Sequence, residues 1–134
     1  QKRALRFIYF SDFKQHPVPS FIEATVLPLK FSFFKITANL MYDVRHKIAP
    51  TRIQKQFQDI SNIHPHYTRS SASNNFYTQS SRLSIKLNSF SRTGSTIWNG
   101  IPLTVRGIRK NDFTRKITTL LFDILISEDL RNYS

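Results

Sequence analysis

Four arginines and three aromatic residues have the types and spacing to hold a polyanion: Arg69, Arg82, Arg92 and Arg106, with Tyr67, Phe76 and Tyr77 interleaved among them. Guanidinium groups pair with phosphates through two parallel hydrogen bonds, and aromatic faces stack on unpaired bases. The mixture is therefore what a nucleic-acid surface requires. The same side chains have an ordinary structural use, since Tyr67 and Arg69 could simply pin a polar loop by bonding to its backbone. Charge favours the first reading. Lys and Arg number 20 against 8 acidic residues, a net charge of +12, which makes a polyanion the natural partner. These bases run from Lys2 to Arg131, so the folded body rather than a tail carries the field.

Other chemistries are excluded residue by residue. There is no cysteine, so disulfides, thiolate nucleophiles and thiolate-held zinc are impossible. Of His16, His46, His64 and His66 only the last two are close in sequence, and no carboxylate cluster joins them. No metal site is expected. No Gly-x-Ser-x-Gly elbow exposes a serine, and three glycines (Gly94, Gly100, Gly107) cannot build a phosphate-cradling loop. No catalytic residue and no cofactor is expected in this chain.

The elements that must position these residues read as mostly helical. Residues 2–10 place Leu5, Ile8 and Tyr9 on one face of a short helix opposite Lys2, Arg3 and Arg6. Three prolines between His16 and Pro28 break the chain, leaving room for a turn or two of helix over Phe21–Leu27 with Ser20 as its cap. From Leu29 to Ile48, Phe33, Ile36, Leu40 and Val44, joined by Phe34, Ala38 and Met41, recur at helical spacing. Pro28 fits at its start, where a missing N–H costs nothing, and Pro50 prevents continuation. A shorter helix over Thr51–Phe57 would bury Ile53 and Phe57.

Residues 59–81 are polar and aperiodic and read as a loop. Arg82–Leu87 alternates as a half-buried strand does, and Phe76–Thr78 is its nearest pairing candidate. Asn88 or Ser89 would cap a helix carrying Phe90, Ile97 and Trp98, closed by Gly100 just past its end and by Pro102. Trp98 sits on its apolar side and reads as core, with Asn99 and Pro102 fixing the exit of the chain. Gly94 inside that helix costs about 1 kcal/mol relative to Ala, which a close backbone approach to another element, or to a phosphate, would explain. A last helix over Asp112–Ile126 would bury Phe113, Ile117, Leu120, Leu121, Ile124 and Leu125 and leave 127–134 frayed.

The order of several boxes resembles a known family. His66, Tyr67, Thr68 and Arg69, then Ser89, Phe90 and Gly94, then Trp98, Asn99, Ile101 and Pro102 follow one another here. Flanking them are a basic start (QKRALR), a Leu27-Pro28 step and the helix end LMYDVRHKIAP. Together these resemble the C-terminal region of LINE-type (non-LTR) retrotransposon reverse transcriptases, over almost the whole chain. The resemblance implies a parent RNA-directed DNA polymerase that would need Mg, whose palm aspartates are absent here: the eight acidic residues are dispersed, and only Asp129 directly follows another. It also implies a partner, the upstream polymerase domain of the same chain. Gln1 at the start and a single Met41 in mid-pattern fit a piece of a longer protein. The C-terminal Cys/His knuckle of some relatives is missing.

The expected architecture is a small, mainly α domain with a long polar loop and one candidate β-hairpin. Residues 1–58 form its helical first half, 59–81 the loop and 82–134 a strand and helix half. Its expected partners are RNA or DNA. The alternative is a basic helical module that binds protein. No apolar run reaches the roughly 20 residues that span a bilayer, and no cleavable leader is evident, so an intracellular location, nuclear or cytoplasmic, is expected.

Overall fold

The computed structural model describes residues 1–10, 17–63, 73–78, 80, 82 and 89–132, excepting the side chains of 129–132. The described chain is mainly α, as expected. Its helices are α1 (Lys2–Ile8), α2 (Val18–Glu23), α3 (Leu29–Arg45), α4 (Thr51–Gln54), α5 (Phe90–Gly100), α6 (Leu103–Arg106) and α7 (Lys110–Asn132), with a 3₁₀ turn at Ile60–Asn62. The only β-pairing among the described residues is an isolated antiparallel bridge between Asp59 and Phe76. The strand expected at Arg82–Leu87 lies largely outside the described residues, and Phe76 pairs with Asp59. The chain divides into two compact units, residues 1–35 with 114–134 and residues 36–113.

In the first unit α1 buries none of its residues. Helix α2 begins two residues before the expected cap. Pro17 holds the cap position and a proline occupies the first turn, where its missing N–H would have been unpaired in any case. Ser20 is therefore inside the helix, and buried. The N-terminus of α3 borrows its cap from a distance: the Leu29 N–H donates to Oε1 of Gln1 at 2.8 Å, while the Pro28 carbonyl accepts from the Ser32 N–H at 2.9 Å. Proline offers no side-chain acceptor, so the orphan N–H groups of the first turn need an outside partner.

Both α2 and α3 end in the same six-residue closure. After α2, Thr25 N–H donates to Ile22 C=O and Val26 N–H to Phe21 C=O; after α3, Lys47 N–H donates to Val44 C=O and Ile48 N–H to Asp43 C=O. Both are Schellman motifs, which require a left-handed residue. Thr25 (φ 53°) and Lys47 (φ 59°) adopt it without being glycine. This is why α3 stops at Arg45 and not at Ile48.

The buried face of α3 differs from the expected one. Phe31, Thr37, Ala38, Met41, Tyr42 and Val44 are buried, whereas Phe33 is 53 % and Ile36 68 % exposed. Aromatic residues stand at 31, 33 and 34, so helical spacing is satisfied by two different stripes. In α7 the buried positions are Phe113, Ile117, Leu121 and Leu125, one per turn, with Ile124 exposed. That helix starts at Lys110, its Phe113 N–H bonded to Arg109 C=O at 2.8 Å, and it runs to Asn132, past the expected end.

The core of residues 36–113 is aromatic. Phe113 lies 6.3 Å from Trp98 and 4.7 Å from Tyr42 between ring centres, and the Tyr42 hydroxyl donates to Ile108 C=O at 2.8 Å. Gly94 has the close approach that its position implied. A Cβ there would stand 2.7 Å from Met41 Sδ and 3.2 Å from the Phe57 ring, so α5 can lie against these side chains only without one. Ser89, one of the two expected caps, holds its N-cap position without a side-chain capping bond, but Gly100 is its last residue, and Pro102 opens a further helix, α6, that the periodicity did not indicate.

Candidate functional site

The residues of the Trp98–Pro102 box and the arginine after it converge on one stretch of irregular backbone, residues 73–77. Asn99 on α5 meets Phe76 as one peptide meets another: its Oδ1 accepts from the Phe76 N–H at 2.9 Å, and its Nδ2 donates to the Phe76 C=O at 2.8 Å. Two residues away, the Trp98 indole N–H donates to Asn74 C=O at 3.4 Å. Arg106 on α6 donates to Ser73 C=O at 3.0 Å and to Asn75 Oδ1 at 2.8 Å, and ties itself to α5 through Ile101 C=O (2.7 Å) and Asn99 C=O (2.9 Å). From the other side the Asn75 C=O accepts from the Ile60 N–H, and the Tyr77 N–H donates to Gln58 C=O.

Four consecutive carbonyls, 73 to 76, are thus each engaged by another segment of the chain. Buried backbone must find partners, and a stretch with no helix or ladder of its own finds them in side chains. Asn74 is left-handed (φ 51°), a conformation that Asn tolerates because of its short polar side chain.

One side chain of this stretch enters the interior. The Phe76 ring lies 5.6 Å from Phe57 and 6.1 Å from Trp98 between centres, with the Arg45 guanidinium 5.6 Å from its own centre. Arg45 is paired with Asp59, which fixes the cation beside the ring. Arg106 stands 5.4 Å over Trp98. Burial pushes its pKa below the ordinary guanidinium value, and the neighbouring positive charge of Arg45 adds to the effect. Among the described residues, no carboxylate is a hydrogen-bond partner of Arg106. A guanidinium presents five donors and stays protonated, so oxygens of the backbone and of Asn75 satisfy it.

The seven residues singled out by type and spacing therefore divide. Tyr67 and Arg69 lie outside the described residues. Phe76 (4 % exposed) and Arg106 (8 %) are brought together around Trp98, in the interior. Tyr77 and Arg82 are exposed and Arg92, on α5, is half-buried. Asn99 was expected to fix the exit of α5. It instead clasps Phe76, 23 residues away, and spacing carries no signal of that. Among the described residues no three His, Cys, Asp or Glu side chains group as a metal would need, and His64 and His66 lie outside them. No described helix is long and apolar enough to cross a membrane. Comparison with family models, curated proteins and solved structures finds no match.

Proposed function

We propose that this chain is a non-catalytic, nucleic-acid-gripping segment from the C-terminal region of a LINE-type retrotransposon reverse transcriptase, holding template RNA or target DNA for an upstream polymerase domain. The observation that carries this reading is how the charge is distributed. Residues 36–113 contain eleven Lys and Arg against three Asp, and two of those three, Asp43 and Asp59, are already paired with Lys110 and Arg45. Lys47, Arg52, Lys55, Arg82 and Arg109 of this unit are exposed. Such an excess attracts phosphates and is worth little to folding. The order of the Tyr67–Arg69 and Trp98–Pro102 boxes is what directs the reading to that family.

The contacts would be phosphates on Arg69, Arg82 and Arg92 and an unpaired base on Tyr67 or Tyr77. Phe76 and Arg106, being buried, would act by holding Tyr77 in place. The test is binding to a labelled single-stranded RNA and a duplex DNA across a salt series. Affinity should fall with a slope of about 0.7 to 0.9 per phosphate neutralised, and Arg69→Ala with Arg82→Ala should flatten it. A salt-independent affinity, or none, would remove the reading.

One observation favours a second reading, a basic helical module that docks on protein. Leu29 (72 %) and Phe33 (53 %) leave an exposed apolar stripe at the start of α3, of the kind that marks interaction surfaces. Indifference to nucleic acid together with a salt-insensitive protein partner would decide for it.

A further inference from the structure

We infer that the corner between α3 and α4 is a phosphate-binding surface, on which Lys47, Arg52 and Lys55 grip a nucleic-acid backbone without reading its sequence. The inference rests on the nucleic-acid reading above and adds to it a place that neither the Tyr67–Arg69 box nor Arg82 and Arg92 supply. What sets the corner apart is that its cations are idle. From Val44 to Gln58 there is no acidic residue, and the two that flank this stretch are taken, Asp43 by Lys110 and Asp59 by Arg45. Lys47, Arg52 and Lys55 are all exposed, and among the described residues their side chains make no hydrogen bond and no ion pair. Other cations of residues 36–113 are occupied by the fold: Arg45 and Lys110 by those two carboxylates, and Arg106 by the carbonyls of Ser73, Asn99 and Ile101.

The backbone that carries these charges is fixed in advance. The Lys47 N–H donates to Val44 C=O at 3.2 Å, and the N–H groups of Ile48 and Ala49 to Asp43 C=O at 2.8 and 3.1 Å. Pro50 caps α4, and Gln54 Nε2 donates to Ala49 C=O at 2.5 Å. Ala49 and Phe57, on either side of α4, are buried and anchor it. A site that is already ordered loses less on binding. Arg52 and Lys55 stand three apart on this turn, so they share a side of it with Cβ atoms about 5–6 Å apart, and a guanidinium and an ammonium side by side suit neighbouring phosphates. The same stretch lacks what would read bases. Between Lys47 and Lys55 the other exposed side chains, Ile48, Pro50 and Thr51, offer neither an aromatic face nor an amide, and the His46 ring beside them is stacked on Tyr42 at 3.9 Å. Contacts confined to phosphates position a nucleic acid and carry no sequence information.

The experiment measures binding of the full chain to two labelled single-stranded RNAs of unrelated sequence, by fluorescence anisotropy across a salt series. Wild type is compared with the triple variant Lys47→Gln, Arg52→Gln, Lys55→Gln and with a control of equal charge, Lys2→Gln, Arg3→Gln, Lys116→Gln, whose positions are also exposed. For the corner variant the slope of log affinity against log salt should become shallower by about 2, at about 0.7 for each of three phosphates on a single strand, with the same loss on both RNAs. The control should keep a slope close to that of wild type. If wild type binds and the corner variant binds as wild type does, the inference is overturned while the nucleic-acid reading stands; an acidic peptide would then be the partner to try on the corner. An equal loss in the control reduces the effect to net charge and also overturns it, as do unequal losses on the two RNAs. If wild type does not bind, both readings fall. Should the triple variant not fold, by circular dichroism, Arg52→Gln with Lys55→Gln is read under the same criteria, with a slope change of about 1.4. If that too fails to fold, these side chains serve the fold and the inference falls.

Discussion

Two kinds of irregular backbone in this chain are held by opposite means. The turns after α2 and α3 close on themselves: each bond runs between backbone groups at most six residues apart, and the residue at the strained position is whatever the sequence supplies, Thr25 or Lys47. Residues 73–77 are held from outside, by the side chains of Asn99, Trp98 and Arg106 up to 33 residues away. Backbone closure tolerates almost any residue at a cost of roughly 1–2 kcal/mol for a left-handed L-residue. A clasp made of side chains tolerates almost none, because removing one partner strands the buried group it served. Substitution should therefore be costly in the clasp and mildly beneficial in the turns.

The largest expected effect is at Trp98. Trp98→Ala should lower the unfolding free energy by about 3–5 kcal/mol, the range for deleting a buried indole, with the lost bond to Asn74 included. Since the substitution removes the only fluorophore of its kind, urea unfolding followed by circular dichroism is the measurement. A loss below 1 kcal/mol would mean that the aromatic cluster of Trp98, Phe76 and Phe113 is not the core of residues 36–113. Next comes Asn99→Ala, which leaves both the N–H and the C=O of Phe76 without their partner. Both groups are only part-buried, so at the lower end of the 1–3 kcal/mol per stranded group, about 1–2 each, the loss should be about 2–4 kcal/mol. The amide of Phe76 should then exchange with solvent faster, while α7 amides keep their protection. If Asn99→Ala instead unfolds as wild type does, the Phe76 ring and the bonds from Trp98, Arg106 and residues 58–60 hold the segment 73–77 without Asn99.

How much of this was legible in the sequence follows the same division. Signals that act over one helical turn were readable: Pro28 before α3, a polar residue at 88 or 89 before α5, four of the six apolar positions of α7, and Trp98 as core. The mainly α class follows from them. The stop of α3 at Arg45 was not readable, because Lys47 takes the place where a glycine would have announced it. The buried face of α3 was only half readable, since Phe31, Phe33 and Phe34 satisfy helical spacing on either side. The clasp was invisible, for nothing at position 99 or 106 names a partner at 76 or 73. What could be inferred was that Gly94 answers a close approach, though not to which neighbour. Gly94→Ala tests that directly. The added methyl would meet Met41 Sδ at 2.7 Å and the Phe57 ring at 3.2 Å, and overpacking costs about 1–3 kcal/mol, offset by about 1 kcal/mol of helix propensity. A net loss of about 1 kcal/mol is expected in the urea midpoint, and a gain would show that Met41 moves aside freely.

The smallest effect carries the opposite sign and separates the two kinds of backbone most sharply. Thr25→Gly removes a β-branched side chain from a left-handed position, where its Cβ crowds the following carbonyl. Glycine also makes the unfolded chain more flexible, which subtracts roughly 0.4–1 kcal/mol from the gain. The expected result is a net stabilisation of about 0.5–1 kcal/mol, seen as a higher urea midpoint with an unchanged slope. Lys47→Gly should give less, because Lys47 also places a cation beside the C-terminus of α3, where the helix dipole favours it by about 0.3–1 kcal/mol. The two variants thus differ by the β-branching of Thr25, which salt leaves unchanged, and by an electrostatic quantity that salt screens. In high salt the gain from Lys47→Gly should rise towards that from Thr25→Gly by the dipole's share, and if the gap stays constant the dipole contributes nothing to it.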